Sequence, residues 1–145
     1  FRHHAPALAA LIVATDQTTK LIASSVGDTP ATEPVENPDA ALGLVTGPTP
    51  LLCAGMAVVV LLARRTPRRW PALAHHWWVP PAFAAGAASN LLDRLTLGAV
   101  RDFLPTPWMI LNVADLAIGA ALVGCYHGIH RDHAAARRPT TSEGG

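Results

Sequence analysis

Asn90 to Phe103 reads NLLDRLTLGAVRDF, and nine residues further on Asn112 to Asp115 reads NVAD. These two stretches hold three aspartates, two arginines and two asparagines, set inside or beside segments that are otherwise apolar. Carrying a charge into a bilayer costs several kcal/mol or more, so residues of this kind in such surroundings usually have a task.

The surroundings are apolar by composition. The chain has 145 residues, enough for one domain or one small helical bundle. Half of it is hydrophobic and 14% is charged, against roughly a quarter in ordinary soluble domains. A net charge of +1 leaves no electrostatic footprint for nucleic acid. Cys53 and Cys125 each sit in an apolar run and read as small hydrophobes rather than a disulfide or redox pair. The first apolar segment carries Asp16 and Lys20 and has no clear small-residue cleavage site, which predicts a retained helix rather than a removed signal peptide.

Four apolar segments stand out, at about 5–26, 44–63, 77–92 and 108–129, each near the ~20 residues that span a bilayer core. Their Ala and Gly content favours close helix–helix packing. Pro80 and Pro81 predict a kink in the third helix or a turn at its start. The connectors differ in charge. Arg64, Arg65, Arg68 and Arg69 lie between the second and third segments, and Arg131, Arg137 and Arg138 lie after the fourth. The connector from Gly27 to Gly43 has Asp28, Glu33, Glu36 and Asp39 and no Lys or Arg. The positive-inside rule then puts both termini and the Arg-rich loop in the cytoplasm, and the acidic loop and the loop around Asp102 outside. The Arg run reads as a topological anchor in preference to a lipid- or partner-binding patch. The expected fold is an all-α integral membrane protein with four transmembrane helices and a small extracytoplasmic loop or β region. Residues 1–130 would form the helical domain and 131–145 a disordered cytoplasmic tail.

At ~1.5 Å of rise per residue, this topology sets the depth of each polar group. Asp16 falls near mid-membrane and Lys20 in the outer half. Asn90, Asp93 and Arg94 reach the outer boundary, and Asn112 and Asp115 lie within two turns below it. Polar groups from three helices thus converge on one level. Asn90, Asp93 and Arg94 share a helical face, as do Asn112 and Asp115. Asp16 and Lys20 stand at i, i+4 in the better orientation for an ion pair. Asp93 and Arg94 can equally cap a helix end.

Pro105 and Pro107 prevent a continuous helix between Asp102 and Asp115, so the chain turns and the two carboxylates can face each other. Two close carboxylates near lipid do not both ionise cheaply, and one keeps its proton. Such a pair can act as base toward a water and acid toward a leaving amine. Capping and packing roles remain open on spacing alone.

The residues also resemble a family. DQTTK at Asp16 to Lys20 looks like the D-Q-x-T-K of the lipoprotein signal peptidases (signal peptidase II), four-helix aspartic peptidases of bacterial inner membranes. ENPDAALG at Glu36 to Gly43 is similar to that family's E-N-x-G-A-A-F-G. GAASNLLDRLTLGAVRDF at Gly86 to Phe103 is similar to G-x-x-G-N-x-x-D-R-x-x-x-G-x-V-x-D-F. LNVADLAIGAALV at Leu111 to Val123 is similar to F-N-x-A-D-S-x-I-x-x-G. The chain departs from these patterns at Asp39, Leu42, Ser89 and Leu116, has Arg101 at a variable position, and has short outer connectors.

The resemblance implies that Asp102 and Asp115 are catalytic and activate water to cut just before a lipid-modified cysteine. The implied substrates are diacylglyceryl-prolipoproteins. Asn37, Asn90, Arg94 and Asn112 fall on positions that bind and orient substrate and acids, and Asp16, Lys20 and Asp93 on structural polar positions. No metal or other cofactor is implied, and the partners are substrate and membrane lipid, with no nucleic acid. A monomer in the bacterial cytoplasmic membrane is expected, its site toward the extracytoplasmic side.

Rival readings are a non-catalytic paralogue that binds lipidated membrane proteins, and an ion-handling protein, which would string its acids across the membrane. A third is metal binding by HGIHRDH, through His127, His130 and His133. That motif sits at the opposite end of its helix and reads as a juxtamembrane helix end. His75 and His76, beside Trp77 and Trp78, read as interfacial anchors.

Overall fold

The computed structural model describes residues 4–26, 34–38 and 76–136 and, between these, residues 50, 51, 53–55, 57, 58 and 61. Ala5–Val26 form helix α1 and Val35–Asn37 strand β1. The residues described within 50–61 are helical and constitute α2. Val79–Leu97 form α3, followed by the short strands β2 (Val100–Asp102), β3 (Leu104–Pro105) and β4 (Ile110–Leu111). Val113–Ala136 form α4. Among the described residues one helical stretch, Val113–Arg131, is long and apolar enough to cross a membrane. Asp28, Glu33, Asp39, Leu42, the Arg-rich loop at 64–69, His75 and the tail at 137–145 lie outside the described residues.

The bounds of α3 and α4 differ from the sequence expectation. Of the two alternatives for Pro80 and Pro81, the structure has the one at the helix start: both fall in the first turn of α3, where a missing N–H leaves no bond unmade. The far end of α3 reaches Leu97 rather than Leu92 because nothing in DRLTL stops a helix. Gly98 does, at φ 85°, with its N–H donating 3.1 Å to the Arg94 carbonyl. Asp93 and Arg94 are therefore interior to the helix, and Asp93 does not cap it. Helix α4 starts at Val113, not Trp108, because residues 104–111 are drawn into a hairpin. It continues to Ala136, so residues 131–136, expected in a disordered tail, are helical.

The connector between α1 and α2 carries the short strand anticipated there. β1 pairs antiparallel with β2, setting Val35 opposite Asp102, Glu36 opposite Arg101 and Asn37 opposite Val100. β3 pairs with β4, and the Thr106 hydroxyl closes the turn by accepting from the Met109 N–H at 3.1 Å. The hairpin brings the chain from Asp102 back to the start of α4.

Helix α3 packs against both α4 and α1. The α3–α4 approach is close at Gly86, where an added Cβ would lie 2.6 Å from the Ala114 carbonyl oxygen and 2.8 Å from Ile118 Cγ1. Small residues at such crossings let helix backbones approach. What is buried inverts the usual order of a soluble domain. The buried apolar residues are mostly alanines, whereas the largest fully buried side chains are Lys20, Asn112, Asp16, Asp93 and Ser89. Leu11, Leu21, Leu95, Leu116, Leu122 and Val123 are exposed.

Candidate active site

The site is built from the start of α4. Asn112 stands immediately before the helix, and its Oδ1 accepts from the Asp115 N–H at 2.9 Å. Asp115 Oδ2 accepts in return from the Asn112 N–H at 3.2 Å. This reciprocal arrangement satisfies two helix-start donors and has the logic of a capping box. With Oδ1 held by the cap, the Asn112 amide can only donate on its other side. Nδ2 donates 2.7 Å to Asp102 Oδ1 and 3.1 Å to Asn90 Oδ1.

Both carboxylates are then fully framed by donors. Asp102 Oδ2 accepts from Asn37 Nδ2 at 3.0 Å, a bond delivered by the β1–β2 pairing. Asp115 Oδ1 accepts from Asn90 Nδ2 at 2.9 Å. Each of the four carboxylate oxygens thus has its own nitrogen donor. Asn112 binds both acids, through its side chain to Asp102 and its backbone to Asp115. Asp102 is buried, and Asp115 is partly open.

Beside this pair lies a buried charged cluster. Lys20 Nζ, fully buried, meets Asp16 Oδ2 at 2.6 Å, Asp93 Oδ2 at 3.2 Å and Asn90 Oδ1 at 3.0 Å. The Asn90 oxygen therefore faces Lys20 and Asn112, which turns its nitrogen toward Asp115. Asp16 also accepts from Ser89 Oγ at 2.8 Å and from the Ala114 N–H at 2.8 Å, tying α1 to α3 and α4. Asp93 is held by Arg101 three times: from Nη2 at 2.8 Å, from the backbone N–H at 3.2 Å and from Nε at 3.3 Å. Gln17 accepts from Arg101 Nη2 and donates to Asp93 and Ser89, each at 3.0 Å. Arg94 is buried, with Nη1 3.5 Å from the Asn90 carbonyl oxygen.

Burial pushes the Asp102 carboxyl above the ordinary carboxylate range. The hydrogen bonds from Asn37 and Asn112 and the positive charges of Lys20 and Arg94 oppose that rise without cancelling it. A buried acid whose proton is retained more readily than in water, next to a second acid, is suited to proton transfer.

All nine residues singled out from the sequence lie in this connected region: Asp16, Lys20, Asn37, Asn90, Asp93, Arg94, Asp102, Asn112 and Asp115. Three participants had been given no role. Gln17 and Ser89 are neighbours of Asp16 and Asn90 in the quoted motifs, and their hydrogen-bonding side chains were the available signal. Arg101 had only its position beside Asp102. The histidine motif is elsewhere: His127 and His130 pack beside Tyr126, with ring centroids 5.9 and 4.3 Å away. Among the described residues, no three His, Cys, Asp or Glu side chains are grouped so as to hold a metal ion.

A family model for signal peptidase (SPase) II matches residues 8–129. The lipoprotein signal peptidase of Bifidobacterium adolescentis is 40% identical over 94 residues, which cover 57% of this chain and 46% of that protein. The lipoprotein signal peptidase of Rhodococcus jostii is 33% identical over 140 residues, covering 80% and 68%. That of Bifidobacterium longum subsp. infantis is 39% identical over 132 residues, covering 79% and 70%. The matched stretch spans about half the length of the first of these relatives and about two thirds of the other two. A bacterial membrane enzyme solved by the in meso method at 2.3 Å shares the fold, with a TM-score of 0.80 at 19% identity over 98% of this chain and 96% of that one.

Proposed function

This chain belongs to the signal peptidase II family, and on that premise we propose that it is an intramembrane aspartic endopeptidase. Its substrates are diacylglyceryl-modified prolipoproteins, and it cuts just before the lipid-modified cysteine. Asp102 and Asp115 are the catalytic pair. The observation that carries this reading is Asn112, which binds one oxygen of each acid and so holds both in one fully hydrogen-bonded frame.

The chemistry follows from two acids sharing one proton. The ionised carboxylate takes a proton from water as the water oxygen attacks the scissile carbonyl carbon. The protonated partner gives its proton to the departing amine as the C–N bond breaks. The titration belongs to the pair rather than to either member. Asn37, Asn90 and Asn112 orient the acids, and Arg94 lies beside them as a substrate-orienting cation. Asp16, Lys20 and Asp93 form the structural charge cluster that holds the helices in register.

In this reading the chain sits in the bacterial cytoplasmic membrane as a four-helix, multi-pass monomer. Both termini are cytoplasmic and the site faces the extracytoplasmic side. The helical unit takes in residues 1–130 and extends along α4. Polar side chains buried among alanines, with leucines outside, support an apolar solvent around the helices.

The test is cleavage of a diacylglyceryl-modified prolipoprotein by purified protein in detergent, beside Asp102→Asn and Asp115→Asn. Cleavage before the modified cysteine, lost in both folded variants, is the expected result. Activity surviving either substitution would overturn the catalytic assignment. Wild type that is folded and inert, yet retains the substrate, would make the protein a non-catalytic binder of lipidated proteins.

A further inference from the structure

We propose that Arg101 is a positioning residue for both acids of the site, acting on Asp102 through strand β2 and on Asp115 through Asp93, Lys20 and Asn90. The inference rests on the peptidase reading and extends it to a side chain to which that reading gives no part.

The first branch is mechanical. Arg101 precedes Asp102 on β2, and both its backbone N–H and its guanidinium are tied to the fully buried Asp93 of α3. Nε and Nη2 address the two different oxygens of that carboxylate, a fork that only arginine can present. Nη2 also reaches Gln17 on α1 at 3.0 Å. The strand that carries Asp102 is thereby bolted to two helices one residue before the acid. On its other edge, among the described residues, it pairs with the three-residue β1.

The second branch is electrostatic. The ion-paired contacts of the cluster join two acids, Asp16 and Asp93, to two cations, Lys20 and Arg101, with the charge of Arg94 also acting on Asp93. Removing the Arg101 charge leaves Asp93 with its bond from Lys20 and the more distant charge of Arg94, and draws Lys20 toward Asp93. Lys20 Nζ is also the cation that orients the Asn90 amide, whose nitrogen donates to Asp115. A change at Arg101 therefore reaches Asp115 by a continuous chain of bonds, each 3.3 Å or shorter. The charged groups around Asp102 itself are Arg94 on α3, Lys20 on α1 and Asp115 on α4, with Glu36 of β1 opposite Arg101.

The experiment uses the full chain in detergent with Arg101→Lys, which keeps the charge but loses the fork, and Arg101→Gln, which loses both. Three readouts are taken: the thermal midpoint, kcat and KM on a diacylglyceryl-modified prolipoprotein, and an infrared pH titration of carboxyls labelled with 13C-aspartate. The bands of the pair are identified by comparison with Asp102→Asn and Asp115→Asn, since the two acids titrate together. Arg101→Lys is expected to fold, to keep KM within about twofold and to lose about tenfold or more in kcat, with the titration of the acid pair displaced. Arg101→Gln is expected to go further in the same direction. If Arg101→Gln does not fold, Arg101→Lys decides alone. Folded variants with wild-type kcat and titration would overturn the proposal. So would a loss of activity that only tracks the folded fraction with the titration unmoved, which is a purely structural role. Should wild type cleave nothing, the peptidase reading fails, and the carboxyl titration still decides whether Arg101 positions the acids.

Discussion

Asn112 and Asp115 cap each other across the first turn of α4, side-chain oxygen to backbone N–H in both directions, at 2.9 and 3.2 Å. Capping and catalysis stand as alternatives for these residues on sequence spacing. In the structure they are one arrangement, since the cap fixes the Asn112 amide so that its nitrogen must point at Asp102.

That coupling can be separated by substitution. Asn112→Ser keeps a good N-cap acceptor but removes the donor to Asp102. Its stability should fall less than that of Asn112→Ala, while cleavage falls about 10- to 100-fold, the value of a hydrogen bond to a charged group. Asn112→Ala should lose the same activity and a further ~1 kcal/mol of stability. Thermal midpoints in detergent beside initial cleavage rates check both, and equal stability for the two variants would count against the cap.

Lys20 is buried between two carboxylates, so Lys20→Met should cost far more than a surface ion pair. Removing one partner of a buried pair strands the other charge, at about 3–5 kcal/mol. The variant is expected to unfold at much lower temperature, and adding Asp16→Asn should recover part of the loss. Differential scanning of the two variants reads this. An additive double mutant would mean that Asp16 and Lys20 do not stabilise each other.

Gly86→Ala tests the helix crossing below the site. Alanine has the better helix propensity by about 1 kcal/mol, which alone would stabilise α3. The added Cβ would, however, lie 2.6 Å from a backbone oxygen of α4, which cannot rotate away. Overpacking of about 1–3 kcal/mol should win, lowering the thermal midpoint. Ala114, the residue struck, also donates to Asp16, so activity should fall as well. An unchanged midpoint would show that α3 and α4 separate more easily than this contact implies.

Asp102 makes stability depend on pH with a defined sign. Burial raises its folded-state pKa above the unfolded value, so the folded state holds the proton more tightly. Its contribution to stability is fully present below the ordinary carboxylate pKa and is lost as pH rises through the raised one. The stability of wild type relative to Asp102→Asn should therefore decline with rising pH across that window. Parallel pH profiles of the two proteins' unfolding would contradict it.

Much of this architecture was legible in the sequence because it rests on local periodicity. The i, i+3 and i+4 spacings place Asn90, Asp93 and Arg94 on one face, and Asp16 and Lys20 do form the expected pair, at 2.6 Å. The β1 strand lies inside the connector whose composition suggested one. Misplaced boundaries were those that hydropathy alone had to set. Apolar character fades at Leu92 and begins at Trp108, but helix geometry is ended by a glycine that adopts φ 85° and started by a capping asparagine. Hydropathy does not report either.

What the sequence by itself determined was which polar residues are present and their helical faces, because a helix repeats every 3.6 residues whatever surrounds it. Only the tertiary structure decided which atom of each residue meets which partner. Arg101 grips Asp93 across a tight glycine turn and Gln17 across 84 positions, and Asn37 reaches Asp102 across 65. The orientation of an amide, and hence whether it offers an acceptor or a donor to a neighbouring acid, depends on all of its neighbours at once. Those neighbours come from α1, β1, α3, β2 and α4, and only folding brings them together.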